Sequence, residues 1–332
     1  MWKQWPIQQT RSRVALLALV LLTTACEKTE PSRQGAVERL RAAVESVRFV
    51  AYTPTDLTVV EGQVRPASVQ QIRKDLTILR KDFTGLVLYS SADGLEEVPA
   101  IASVLNFQAL ILGIWDPRAE REIANAVRLA RAYPQLIVGV AVGNETLLAK
   151  RNDWATLRQS MLRLRAALPD VAITTTEPFY FYLNDEPADF LSVQDFLLPG
   201  VHPLYEPWFA QATTEGAVDF VVKIATRLSA KTDKPLLIKE TGLPSGPAKQ
   251  GFTPARQTEF WSALAQRLPP AKGRGLVYFE AFDHAWKVKN AEKEFGLHPE
   301  EAFWGLYTEE GTPKPVVKAL RQIWRIHEVG PP

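Results

Sequence analysis

Residues 109–145 read ALILGIWDPRAEREIANAVRLARAYPQLIVGVAVGNE. The stretch opens on an unbroken apolar run, passes through a helical pattern over 119–132, and closes on a second run at 136–142. Two short apolar runs joined by an amphipathic helix imply a parallel βαβ unit, since parallel neighbours need a long crossover. The same alternation extends both ways along the chain. Apolar, β-branched runs recur at 48–52, 85–89, 109–115, 136–142, 172–176, 196–202, 235–239 and 275–279. Further helical patterns lie at 153–167, 217–228 and 253–268, with Asp153 and Thr253 as N-caps and Pro254 at a first helical position. The Leu and Ala stripe over 157–168 reads as packing against a sheet. Eight βα units predict an α/β fold, a (β/α)8 TIM barrel, as a single domain over 36–332. Neither GxGxxG nor GxxxxGK[ST] follows any run, so nothing supports a nucleotide-binding doubly wound sheet.

Composition narrows the function. The chain has 332 residues, 46% hydrophobic and 23% charged, which is globular rather than disordered. A formal net charge of +2 gives no electrostatic reason for a nucleic-acid partner. Cys26 is the only cysteine, so no internal disulfide, iron–sulfur cluster or multi-cysteine zinc site can form. His202, His284, His298 and His327 are scattered without ligand spacing, so neither a metal nor another cofactor is expected.

The N-terminus reads as an export signal. Lys3, Arg11 and Arg13 precede a nine-residue apolar run at 14–22. That run is too short for a bilayer, which takes about 20 residues. Thr23-Thr24-Ala25-Cys26 then resembles the lipobox of bacterial lipoproteins, with Thr23 where that motif usually has Leu. Residues 1–25 are therefore expected to be a lipoprotein-type signal, Cys26 to be acylated, and 26–35 to be a polar tether. The expected location is the cell envelope, on a membrane anchor. A plain signal peptide cleaved near Ala25, giving a secreted protein, is the alternative. The folded part is expected to act as a monomer.

In a barrel the chemistry sits at the C-terminal strand ends. Those ends offer Tyr52; Tyr89, Ser90 and Ser91; Trp115 and Asp116; Asn144 and Glu145; Glu177; His202 and Tyr205; Lys239 and Glu240; and Glu280 and Asp283. Carboxylates and aromatics dominate, and no Ser-His-Asp or Cys-His order is present. Glycoside hydrolysis needs one carboxyl group to protonate the departing oxygen and another to attack or to activate water, while aromatic faces stack on sugar rings. Trp115 is expected in the core.

Val142-Gly143-Asn144-Glu145 on strand four and Glu240-Thr241-Gly242-Leu243-Pro244-Ser245 on strand seven resemble the two signatures of glycoside hydrolase family 17. Similarity continues through Gly113-Ile114-Trp115, the run from His202 to Trp208, and the run from Phe279 to Lys287. That family comprises β-1,3-glucanases and related transglycosylases on a TIM barrel. The resemblance implies a retaining hydrolase of β-1,3-glucan with Glu145 as acid/base, Glu240 as nucleophile and Asn144 on the sugar 2-hydroxyl. A glucan transglycosylase, or a glucan-binding lipoprotein with impaired turnover, is the alternative. Tyr89, Tyr205 and Trp286 are expected as sugar platforms, His202 as a substrate contact, and Glu280, Asp283 and Lys287 beside the substrate. Leu243 stands where the family often has Trp, and His284 where bacterial members often have an acid.

Overall fold

The structure is a computed structural model and describes residues 30–290 and 296–329. Seven parallel strands form one sheet: Phe49–Ala51, Gly85–Val87, Ala109–Ile114, Ile137–Asn144, Ala172–Thr176, Leu236–Ile238 and Arg274–Tyr278. Its two edges are Ala172–Thr176 and Leu236–Ile238, and segment 195–201 lies between them. On one side Asp195 N donates to Ile173 O, and Gly200 N to Glu177 O. On the other, Leu237 N donates to Leu197 O, Lys239 N to Pro199 O, and Val201 N to Glu240 O. The ring is therefore closed, a (β/α)8 barrel with eight staves, segment 195–201 being the sixth. This stave is irregular for local reasons. Pro199 has no N–H to donate, and the Phe196 carbonyl accepts from the Thr174 hydroxyl.

Side-chain alternation splits the apolar residues into two layers. Phe49, Val87, Ile111, Val138, Leu198, Leu237 and Val277 fill the ring. Leu110, Leu112 and Ile114 face outward and share a cluster with helix residues such as Leu157, Met161 and Leu164. Helix Trp154–Ala167 is capped by the Asp153 side chain on Thr156 N, and helix Pro254–Arg267 by Thr253 on Arg256 N, as read from the sequence. An antiparallel hairpin, Thr58–Val60 with Gln63–Arg65, follows the first stave and was not foreseen.

The first helix among the described residues, Glu30–Ser46, begins inside the stretch read as a tether. Its Leu40, Ala43 and Val44 join the interior cluster and close the barrel floor. Arg33 reaches the carbonyls of Val171 and Arg165 and pairs with Asp195, so the folded part includes 30–35. Burial against the ring, which local composition does not show, outweighs the poor helix propensity of Gly35. Residues 1–29, with the expected signal and Cys26, lie outside the described residues.

Gly113 marks where staves two and three come closest. A Cβ there would lie 2.2 Å from the Tyr89 carbonyl carbon and 2.5 Å from Leu88 O. Backbone cannot yield as a side chain can, so Gly113→Ala should push Tyr89 out of place. The expected cost is about 1–3 kcal/mol, read as a lower Tm in thermal denaturation. An unchanged Tm would contradict this close approach.

Candidate active site

The fourth stave ends in a distorted turn that aims Glu145 across the barrel mouth. Its register shifts between Ala141 and Asn144, Gly143 takes φ +76, and Glu145 itself takes φ +50. A left-handed glutamate is strained and needs outside support. Support comes from Thr176 O, which accepts from Glu145 N at 2.8 Å. Glu177, fully buried, accepts from Leu147 N at 2.8 Å and Leu148 N at 3.2 Å. Glu145 Oε1 thereby lies 3.4 Å from where a Cβ on Gly200 would sit. Gly200 in turn bridges Glu240 in the ladder. The two carboxylates thus approach each other across a residue with no side chain.

Glu240 occupies a cationic niche. Its side chain is 7% exposed, with Lys239 Nζ 3.5 Å from Oε1 and His202 Nε2 3.6 Å from Oε2. Lys239 is itself buried, sits 4.1 Å from the centre of the Tyr89 ring, and donates to Asn144 Oδ1. His202 is held edgewise by Phe279 and Trp304, each with ring centroids 5.5 Å away. These surroundings push the carboxyl groups in opposite directions. Burial, then the charge of Glu240, raises Glu145 to about 7. Burial alone would raise Glu240 too, but Lys239 and then His202 outweigh it and hold that group below the usual carboxylate range. The mouth therefore pairs a protonated carboxyl group with an ionised one, the arrangement acid-plus-nucleophile chemistry uses.

Other residues singled out from sequence fall in three places. Asn144, Tyr89 and His202 touch the Glu240 niche, as just described. Tyr205 is 52% exposed on the rim, donates to Glu301 Oε1 at 2.6 Å, and packs beside the His202 ring. Glu280 is fully buried with both oxygens 2.6 Å from Lys287 Nζ, and Lys287 also lies over the Phe279 ring. Burial raises Glu280 to about 7 against the pull of Lys287. Trp286 is half-buried beside the His284 ring. Asp283 is turned to other work, accepting from Lys314 at 2.6 Å and from Gly305 N at 3.0 Å. Lys314 also bonds Ser245, so this group ties the seventh and eighth loops together.

Trp115 corrects an expectation. It is 45% exposed instead of in the core, because the third strand ends at Ile114 and Trp115 N already donates to Glu122. The Arg151 guanidinium lies 4.2 Å from the centre of its ring. Leu243 is fully buried in the core, so its side chain offers no platform in the cleft. His284 is also fully buried; desolvation, then Lys287, lowers its basicity well below the usual range and leaves it neutral.

Residues 50–305 match the BtgE/BtgC glycoside hydrolase domain. The chain belongs to this glycoside hydrolase family. Among curated relatives, the putative glucan endo-1,3-beta-glucosidase btgC of Aspergillus niger is 25% identical over 301 residues, covering 81% of this chain and 43% of that protein. The probable glucan endo-1,3-beta-glucosidase btgC of Aspergillus flavus is 22% identical over 298 residues, 80% of this chain and 42% of that protein. The chain thus spans less than half the length of the curated relatives it matches. In fold it resembles the glycoside hydrolase family 17 beta-1,3-glucanosyltransferase from Rhizomucor miehei, with TM-score 0.65, 20% identity, and coverage of 83% of this chain and 98% of that one. An endo-laminarinase from Formosa Hel1_33_131 superimposes with TM-score 0.63 and 19% identity over 83% of this chain and 87% of that one.

The BtgE/BtgC match covers both carboxylates of the mouth and the residues around them. It also takes in Lys239 and Glu301, whose part in the mouth the sequence reading had not drawn out. The signal for Lys239 was alternation: Leu237 points into the ring, so Lys239 must as well. For Glu301, which lies in the short helical turn Pro299–Phe303, no periodic signal exists.

Proposed function

We propose that this BtgE/BtgC-family chain is a retaining β-1,3-glucan hydrolase with Glu145 as acid/base and Glu240 as nucleophile. The observation that carries the reading is the oppositely biased carboxyl pair flanking Gly200. In the first step a Glu240 oxygen attacks the anomeric carbon while the Glu145 carboxyl gives its proton to the departing glycosidic oxygen. Glu240 becomes an ester, its charge disappears, and Glu145, now a carboxylate, loses the neighbouring charge that raised its pKa. Glu145 then takes a proton from an incoming water, whose oxygen displaces Glu240 with overall retention. A sugar hydroxyl entering in place of water would make the same chain a transglycosylase, and the Rhizomucor miehei glucanosyltransferase shares its fold.

Incubation with laminarin, with products separated by size, tests the reading. Shortened oligosaccharides alone indicate hydrolysis, and lengthened ones transfer. Binding of laminarin without either would leave a glucan-binding protein and overturn the proposal.

The pH dependence has a definite sign. Glu145 must carry its proton for the first step, so kcat/KM should fall about tenfold per pH unit above pH 7. The acid limb should lie below the usual carboxylate range, where Glu240 at last takes up a proton. Activity rising with pH through 7 would contradict the assignment of Glu145 as acid.

We further propose that residues 1–25 are an export signal and that Cys26 carries the lipid, on sequence support alone. One acyl chain binds a membrane only marginally, so firm anchoring requires the several chains of a mature lipoprotein. Cys26→Ser should release the protein to the soluble fraction or stall its processing. Normal processing with unchanged membrane retention would overturn the anchor.

A further inference from the structure

Lys239 is a lysine placed where a barrel ordinarily packs hydrocarbon, and burial lowers its basicity while Glu240 and Glu145 pull the other way. It is 1% exposed, and its ammonium meets Asn144 Oδ1, Glu240 Oε1 at 3.5 Å and the Tyr89 ring at 4.1 Å. An ammonium has donors and no acceptor. The Asn144 atom facing it must therefore be the carbonyl oxygen, which settles an amide orientation that is otherwise open to inversion. The Asn144 backbone carbonyl is also occupied, accepting from Arg151. What remains is the Asn144 Nδ2 group, which has no partner among the described residues and belongs to a half-buried side chain at the mouth. Glu240 Oε1 is buried and accepts no hydrogen bond among the described residues.

We infer that Lys239 is a positioning residue that locks Asn144 as a hydrogen-bond donor to the sugar hydroxyl next to the reacting carbon. The inference rests on the proposed glycoside hydrolase function and deepens it. A hydroxyl that accepts from Asn144 Nδ2 has its own hydrogen left to donate, and Glu240 Oε1 is the vacant acceptor beside it. The order Lys239, Asn144, hydroxyl, Glu240 then runs donor to acceptor in one direction. With Lys239 removed, the amide can turn, offer its oxygen to the hydroxyl, and leave Glu240 Oε1 unserved. A lysine next to the nucleophile thereby sets substrate selectivity without touching substrate.

The test compares kcat/KM for two aryl β-laminaribiosides whose reacting ring carries or lacks the 2-hydroxyl. Using the ratio between them removes differences in intrinsic reactivity. In Lys239→Met the preference for the hydroxylated substrate should fall at least about tenfold from wild type, the worth of one hydrogen bond to a charged or transition-state group. A merely structural lysine would lower both rates alike and leave the ratio unchanged, which would overturn the inference. Should Lys239→Met fail to fold, Asn144→Asp decides, because it keeps an oxygen for Lys239 but has no amide hydrogen to donate. The inference expects the same loss of preference there, and an unchanged ratio overturns it. A wild-type protein inactive on laminarin and on both glycosides overturns the proposed function itself; an active one with unmoved ratios overturns this inference alone.

Discussion

Glu240→Ala should abolish turnover of laminarin, lowering kcat by on the order of 10⁵-fold or more, because no covalent intermediate can form. The variant also strips Lys239 of its nearest counter-charge, leaving a buried ammonium with Asn144 Oδ1 and the Tyr89 ring. Loss of activity by unfolding must therefore be separated from loss by chemistry. Glu240→Gln does this, since its amide oxygen still faces the Lys239 ammonium while its nucleophilicity is gone. Both variants should be inactive, and the glutamine variant should keep a Tm closer to wild type. Azide added to Glu240→Ala should enter from the face the carboxylate left empty and give an α-glycosyl azide. Residual laminarin hydrolysis within about tenfold of wild type would remove Glu240 from the role.

Glu145→Ala should instead be graded by leaving group. On laminarin, whose departing alcohol needs a proton, the loss should be on the order of 10²–10⁴-fold. On an aryl glycoside with a good leaving group the first step should largely survive. The glycosyl–enzyme should then accumulate, because the second step lacks its base. Azide needs no base, so it should restore turnover and yield a β-glycosyl azide. The opposite result, in which Glu145→Ala is dead to every substrate and Glu240→Ala yields the β-azide, would mean that the roles are exchanged. The structure provides the reason for this asymmetry. Glu145 stands on a strained turn propped by Glu177, and its proton is retained by burial and by the charge of Glu240.

The barrel was legible because hydrophobic period and helix caps are local quantities. Asp153 and Thr253 cap the helices they were expected to begin, and seven of the apolar runs became sheet strands. The remaining run, around Pro199, closes the ring through bonds that depend on what stands on either side, which no window of sequence contains. The first helix was missed for a similar reason. Its apolar face is short, and Leu40 and Val44 gain their meaning only from the floor of the ring they plug.

The site shows the same division. Glu145 and Glu240 stood out because their motifs are contiguous. Lys239 stood only among the strand-end residues, because adjacency in sequence says nothing about burial. Only closure of the ring places it under Asn144, three staves away around the mouth. Trp115 erred the other way, since an apolar run does not reveal where its last residue leaves the strand. Asp283 and Glu280 are three positions apart in one motif, yet one ties down a loop through Lys314 and the other holds Lys287 near the Phe279 ring. Glu280 meets the lysine of its own motif, whereas the lysine that Asp283 meets comes from a segment 31 residues further on.

The central claim is that Glu240 forms the covalent bond to sugar. An aryl 2-deoxy-2-fluoro-β-laminaribioside with a good leaving group should slow both steps and trap the intermediate. After incubation and proteolysis, mass spectrometry should find one laminaribiosyl ester per chain, on the peptide containing Glu240. An ester on Glu145 or Glu280, or no ester while the wild type releases sugar of inverted configuration, would contradict the account.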